Sequence, residues 1–146
     1  MSGPEPRWLG RLVVDEAHFR QIRDHGGTYG LRDENALESA LARPRQRWHY
    51  EDDARLSDLA AAYAYGLATY HPYVDGNKRI ALVTMSAFLV RNGSELTATN
   101  AETVSTMLAL AAGQLTETDL ANWIEEHCRS GPWAERSNSG SRPAGS

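Results

Sequence analysis

An all-α fold is predicted, a compact bundle of about six helices around a central buried helix. Three observations carry this. Apolar residues recur at helical spacing in six stretches. Glycine, proline and capping residues punctuate those stretches. Strand signals are scarce, because no segment alternates well enough between apolar and polar residues to seed a sheet. The bounds read as one domain over residues 1–130 and a flexible tail over 131–146 that is rich in Gly, Ser and Pro.

The elements follow in order. Residues 1–12 read as irregular. From Val13 to His25 the positions Val13, Ala17, Phe19 and Ile22 give a helical stripe, and His25-Gly26-Gly27 ends it. TYGLRDE is an ordered loop. Asp33 caps the next helix, with Leu37, Ala40 and Leu41 on its stripe, and Pro44 is expected to stop it because a proline disfavours helical geometry in the residue before it. Residues 45–54 then form a polar linker. Ser57 is the expected N-cap of a third helix with Leu59, Ala60, Tyr63, Leu67 and Tyr70 on one face. A fourth helix from about Lys78 is apolar on nearly every side, from Ile80 to Val90, so it is the one expected at the centre. Asn92-Gly93 ends it, and ELTATN is an exposed or strand-like link. Asn100 is read as the cap of a helix carrying Val104, Met107, Leu108 and Leu110. Thr116 starts the last, with Leu120, Trp123 and Ile124.

Composition narrows the function. With 146 residues, 41% hydrophobic and 23% charged, the chain suits a single soluble domain. A net charge of -4 provides no basic field for nucleic acid. The lone Cys128 allows no internal disulfide. MSGPEPRWLG lacks the apolar core of a signal peptide, and no apolar run is long enough to cross a bilayer, so a cytoplasmic protein is expected.

HPYVDGNKR, residues 71–79, carries the chemistry. It lies between one helix and the start of the next, where unpaired N–H groups and the positive dipole end bind anions. Gly76 lets the backbone approach a ligand, Asn77 offers an amide, and Lys78 and Arg79 place two cations in the first helical turn. Cations there oppose the dipole, a local conflict that an anion site would require. Asp75 supplies a hard oxygen of the kind magnesium takes alongside substrate phosphates. His71 has a near-neutral reference pKa, suited to taking a proton from an attacking hydroxyl. Read singly, each residue has an ordinary structural explanation: Asp-Gly is a turn, Asn77 an N-cap, the cations a solvated surface. His18, His25, His49 and His127 show no ligand spacing and are read as surface or core-edge residues.

HPYVDGNKRIAL resembles the signature of the Fic/Doc superfamily, and the Lys between Asn and Arg is similar to the Doc (death-on-curing) branch. HGGTYGLRDENALESALARPR and RNGSELTATNAETVSTMLALAAGQLTETDLANWI resemble that branch too, so the likeness runs from about Trp8 to His127. The resemblance implies the all-helical Fic/Doc core. It implies that His71 activates the target hydroxyl, that Asp75 holds Mg2+, that Gly76 and Asn77 form the anion loop and that Lys78 and Arg79 contact phosphate. The Gly26–Asp33 loop matches a flap that aligns a target segment.

The implied activity is that of a toxin from a type II toxin–antitoxin system. ATP is the donor, its terminal phosphate passes to a Ser/Thr hydroxyl on elongation factor Tu, and translation stops. Adenylyltransferases of the superfamily usually have Gly in place of Lys78 and a second Arg in place of Leu82, which disfavours AMP transfer here. Gly76 points the other way, since Doc itself has alanine there. Tyr73 replaces the usual phenylalanine. AMP or nucleotidyl transfer is therefore the alternative, and a catalytically silent module that only engages an antitoxin is the second. Glu34-Asn35 lacks the Ser/Thr four residues earlier that a built-in inhibitory motif needs, so control is expected in trans, from an antitoxin segment that folds as a helix. The small residues Ala60, Ala64 and Ala111 mark where a groove for it would open.

Overall fold

The computed structural model describes residues 4–131, and within them the chain forms six helices and one small antiparallel ribbon. The helices are α1 (Arg11–His25), α2 (Glu34–Tyr50), α3 (Leu56–Thr69), α4 (Asn77–Arg91), α5 (Asn100–Ala111) and α6 (Glu117–Glu126). The ribbon pairs β1 (Ser94–Leu96) with β2 (Cys128–Ser130), Leu96 opposite Cys128. Glu95 and Leu96 of β1 come from ELTATN, the link read as exposed or strand-like, while three residues per strand are too few to show an alternating pattern.

The centre is α3, not α4. Eleven of the 14 residues of α3 are buried, against six of 15 in α4. Side-chain size decides this. Ala60, Ala61, Ala62, Ala64 and Ala68 are short enough for α2, α4, α5 and α6 all to pack on one helix. The closest approach is at Gly66, where a Cβ would lie 2.9 Å from the Cα of Ala40. Helix α4 keeps Ile80, Ala81, Met85, Phe88 and Leu89 inside but turns Ala87 and Val90 outward. Ala60 and Ala64 are fully buried, so the groove expected at these alanines is close-packed core.

Helix α2 runs through Pro44 to Tyr50, correcting the expected stop and the polar linker. A proline in a helix interior removes one bond and costs about 3 kcal/mol. The residue before it, Arg43, is held in helical geometry from outside. Its guanidinium bonds Glu117 of α6 and donates to the Tyr70 hydroxyl at 3.0 Å, and it lies 4.6 Å over the Tyr65 ring. Arg47, one turn on, bonds Glu51 and Glu117. Pro44 itself is buried on the packed face.

The stripe of α1 also differs. Val14, His18 and Ile22 face inward, while Val13 and Phe19 are about half exposed. The caps shift by a residue or two. Asp58 accepts the N–H of Arg55 to start α3 while Ser57 donates to Glu125, and Thr99 rather than Asn100 caps α5 in a box with Glu102. Thr116 caps α6 as expected. Of the tail expected over 131–146, only Gly131 is among the described residues; its N–H bonds the Gly93 carbonyl. Among the described residues no helix is long and apolar enough to cross a membrane.

Candidate active site

The loop between α3 and α4 has to reverse the chain within a few residues. His71 takes the turn with φ 52, the one non-glycine residue at positive φ among those described. A histidine there holds strain of the order of 1–3 kcal/mol, tolerated where surrounding bonds over-determine it. Arg32 provides them. Its guanidinium donates to the carbonyl of Tyr70, the C-cap of α3, and to the carbonyl of His71 just beyond it. The flap that carries Arg32 is itself stitched to the loop. Leu31 pairs with Tyr73 in an antiparallel bridge, Val74 N–H donates to Gly30 O at 2.9 Å, and Arg32 N–H donates to Pro72 O at 2.8 Å. The His71 side chain stays exposed on this braced backbone.

Tyr73 is the loop's anchor. Its ring is buried, and its hydroxyl donates to Asp15 of α1 at 2.7 Å. Burial, then the Asp15 carboxylate, push this phenol far above its ordinary value. The hydroxyl that phenylalanine would lack therefore has a partner. Asn77 grips the same residue, accepting Tyr73 N–H with Oδ1 and donating to Tyr73 O with Nδ2, both at 2.9 Å. The Asn77 amide, expected to face a phosphate, mainly clamps the loop.

Asp75 stands at the mouth of the helix. Its Oδ2 accepts the Thr28 N–H from the flap and its Oδ1 accepts the Gly76 N–H. These two donors, with the nearby charge of Arg79, hold the carboxyl below its ordinary value. Gly27 makes the contact possible, because a Cβ there would lie 2.8 Å from Oδ2. Gly76 follows with φ 76, a left-handed geometry that glycine adopts at little cost.

The first backbone bond of α4 is Ile80 N–H to Gly76 O, so the N–H groups of Asn77, Lys78 and Arg79 precede the helical ladder. Among the described residues the Lys78 and Arg79 side chains form no ion pair. They open on a cleft of about 280 Å³ whose polar end is Asp75 to Arg79 and whose apolar wall is Leu82 of α4 with Val104, Met107 and Leu108 of α5. His71 is not in its lining. No group of three or more His, Cys, Asp or Glu gathers among the described residues to hold a metal alone. One carboxylate beside the first N–H groups of α4 and two cations fits magnesium that arrives on a phosphate chain, where phosphate oxygens and water complete the shell.

Sequence reasoning brought together Asp75, Gly76, Asn77, Lys78 and Arg79, and these do share the cleft. It placed Gly27 and Arg32 in the Gly26–Asp33 flap without a role of their own, and missed His18. His18 is fully buried rather than at the surface or core edge, and its Nε2 lies 2.8 Å from the Asp75 carbonyl. Only its spacing from Val14 and Ile22 signalled this.

The Fic/DOC family model matches residues 8–89. The chain is 30% identical over 107 residues to "Protein kinase doc" of Escherichia phage P1, covering 73% of this chain and 84% of that protein. It is 47% identical over 75 residues to "Toxin Doc" of Mycolicibacterium smegmatis, covering 50% of this chain and 57% of that one.

Proposed function

This chain belongs to the Fic/DOC family, and from that premise we propose that it is the toxin of a toxin–antitoxin pair, a kinase that moves the terminal phosphate of ATP to a Ser/Thr hydroxyl of a protein. The observation that carries the reading is the pair of cations at the start of α4, Lys78 and Arg79, free of ion pairs among the described residues beside Asp75, with apolar Leu82 one turn further along the same cleft. A phosphate chain has its counter-charges at one end of the cleft, and among the described residues no third cation lines the cleft further along to hold an AMP moiety for transfer. Gly76 does not argue for AMP transfer, since its left-handed backbone accounts for the glycine.

In this reading the hydroxyl proton of the acceptor passes to the His71 imidazole. The acceptor oxygen forms a bond to the terminal phosphorus, the bond from that phosphorus to its bridging oxygen breaks, and the electron pair leaves on ADP. Lys78, Arg79 and the first N–H groups of α4 stabilise the charge on the phosphate oxygens. Asp75 would hold magnesium, which when bound offsets the negative charge of the phosphates. Elongation factor Tu is the acceptor that the resemblance implies.

Control comes in trans from an antitoxin. Glu34, the one glutamate followed by Asn or Gly in the sequence, is committed to Arg11 and lies at the start of α2. The exposed Val104 and Leu108 beside Leu82, rather than the buried alanines of α3, offer apolar surface to a helical segment.

ATP labelled at either the gamma or the alpha phosphate tests the chemistry. Gamma label on the acceptor supports the kinase. Alpha label alone replaces it with AMP transfer, and no label with either leaves a silent antitoxin-binding module.

A further inference from the structure

We propose that His18 is a positioning residue that aims the Asp75 carboxylate by gripping the peptide group between Asp75 and Gly76; this rests on the reading of Asp75 as the magnesium-holding residue. The trans peptide unit has two polar edges. Its carbonyl, Asp75 O, lies 2.8 Å from His18 Nε2. Its N–H, that of Gly76, donates to Asp75 Oδ1 at 2.8 Å. A carbonyl only accepts, so Nε2 carries the hydrogen. Turning this plane would break both bonds together and release the carboxylate oxygen from its donor. It would also carry Gly76 away from the φ of 76 from which α4 starts.

The ring is placed for this task and for little else. It is fully buried on α1 and stacks on the Tyr73 ring at 3.7 Å and 10°. Its other nitrogen, Nδ1, is buried with no hydrogen-bond partner among the described residues. A core position that required only volume would be filled at lower cost by a fully apolar ring, because burying an unpaired polar atom is unfavourable. The imidazole is kept in spite of that orphan, and its one bond goes to the Asp75 carbonyl. A Cβ on Gly76 would press on the Ile22 side chain at 3.3 Å and make ordinary contact with Nε2 at 3.5 Å.

Three variants separate the donor from the ring. His18→Phe keeps an aromatic ring for Tyr73 and loses the donor. His18→Gln keeps a donor at similar reach and loses the ring. His18→Leu loses both. Two readouts are taken on each: hydrogen exchange of the Gly76 amide by NMR, and the magnesium concentration needed for half-maximal ATP binding. His18→Phe and His18→Leu are expected to speed Gly76 exchange and to raise the magnesium requirement by about 10–100-fold, as loss of a residue that orients a metal ligand does. His18→Gln should restore both towards wild type. Wild-type exchange and wild-type magnesium requirement in His18→Phe would overturn the proposal and leave His18 as packing. If wild type itself shows no magnesium-dependent ATP binding, the reading of Asp75 fails, and Gly76 exchange still decides whether His18 holds the peptide.

Discussion

His71 is presented on a backbone that is held rather than free, and this shapes what its removal does. Its side chain is exposed and off the core, while the turn under it is fixed by Arg32 and the flap. His71→Ala should therefore leave the thermal midpoint close to wild type and cut transfer by about 10²–10⁴-fold, the usual contribution of a positioned base; a folded variant with full activity would remove His71 from the mechanism. Gly27 tests the other half of the site from outside the motif. Its φ is 116 and an added Cβ would meet Asp75 Oδ2 at 2.8 Å. Gly27→Ala should displace the carboxylate and, as Asp75→Asn should also do, weaken magnesium-dependent ATP binding, measured by titration calorimetry with and without magnesium. The motif residues were legible in the sequence because their types conflict with helix stability: two cations sit where the dipole favours acids. The roles of Gly27, Arg32 and His18 were not. What each does depends on a neighbour 39 to 57 positions away in the chain, and sequence spacing does not record such pairs.

Helix identity was readable from apolar spacing, but the choice of centre was not. Apolar content alone favoured α4, whereas the packing of four helices around one favours the smallest side chains, and those are on α3. Pro44 misled for a related reason, since what holds Arg43 helical is Glu117 on α6. The start of α3 shows the same dependence on a distant partner. Asp58 is 7% exposed, bonded by Arg55, and 3.7 Å from Arg47 of α2. Burial works to raise its pKa, but the bonds from Arg55 and the charge of Arg47 outweigh it, and the net shift is downward. A carboxyl depressed on folding stabilises fully above its unfolded value of about 3.9 and loses that contribution as the pH falls through the folded value. Asp58→Asn should thus cost about 1–3 kcal/mol near neutrality. In urea unfolding the gap to wild type should close as the pH drops below about 4. A gap that persists undiminished in acid would assign the cost to packing instead of charge.

At the scale of the whole molecule, α1, the flap and α5 surround one helix start, and the rest of the bundle holds that arrangement still. Tyr73 ties the loop to Asp15 on α1, Thr28 and Leu31 tie it to the flap, and Val104, Met107 and Leu108 wall the cleft. Glu34, the one Glu followed by Asn or Gly, has Gly30 rather than Ser or Thr four residues before it, so on the proposed reading of control in trans the chain expressed alone should arrest growth of a sensitive bacterium and the neighbouring open reading frame should relieve it. Normal growth without the neighbour, from protein that transfers phosphate freely when purified, would contradict control in trans. On the proposed function the terminal phosphate of ATP passes to the acceptor hydroxyl with His71 as the base. The most direct measurement is the intact mass of the acceptor protein after incubation with ATP, magnesium and either wild type or His71→Ala. The expected result is the gain of one phosphoryl group with wild type, ADP as the released product, and no gain with His71→Ala. A gain of one AMP group with release of pyrophosphate, or the same phosphoryl gain with His71→Ala, would contradict it.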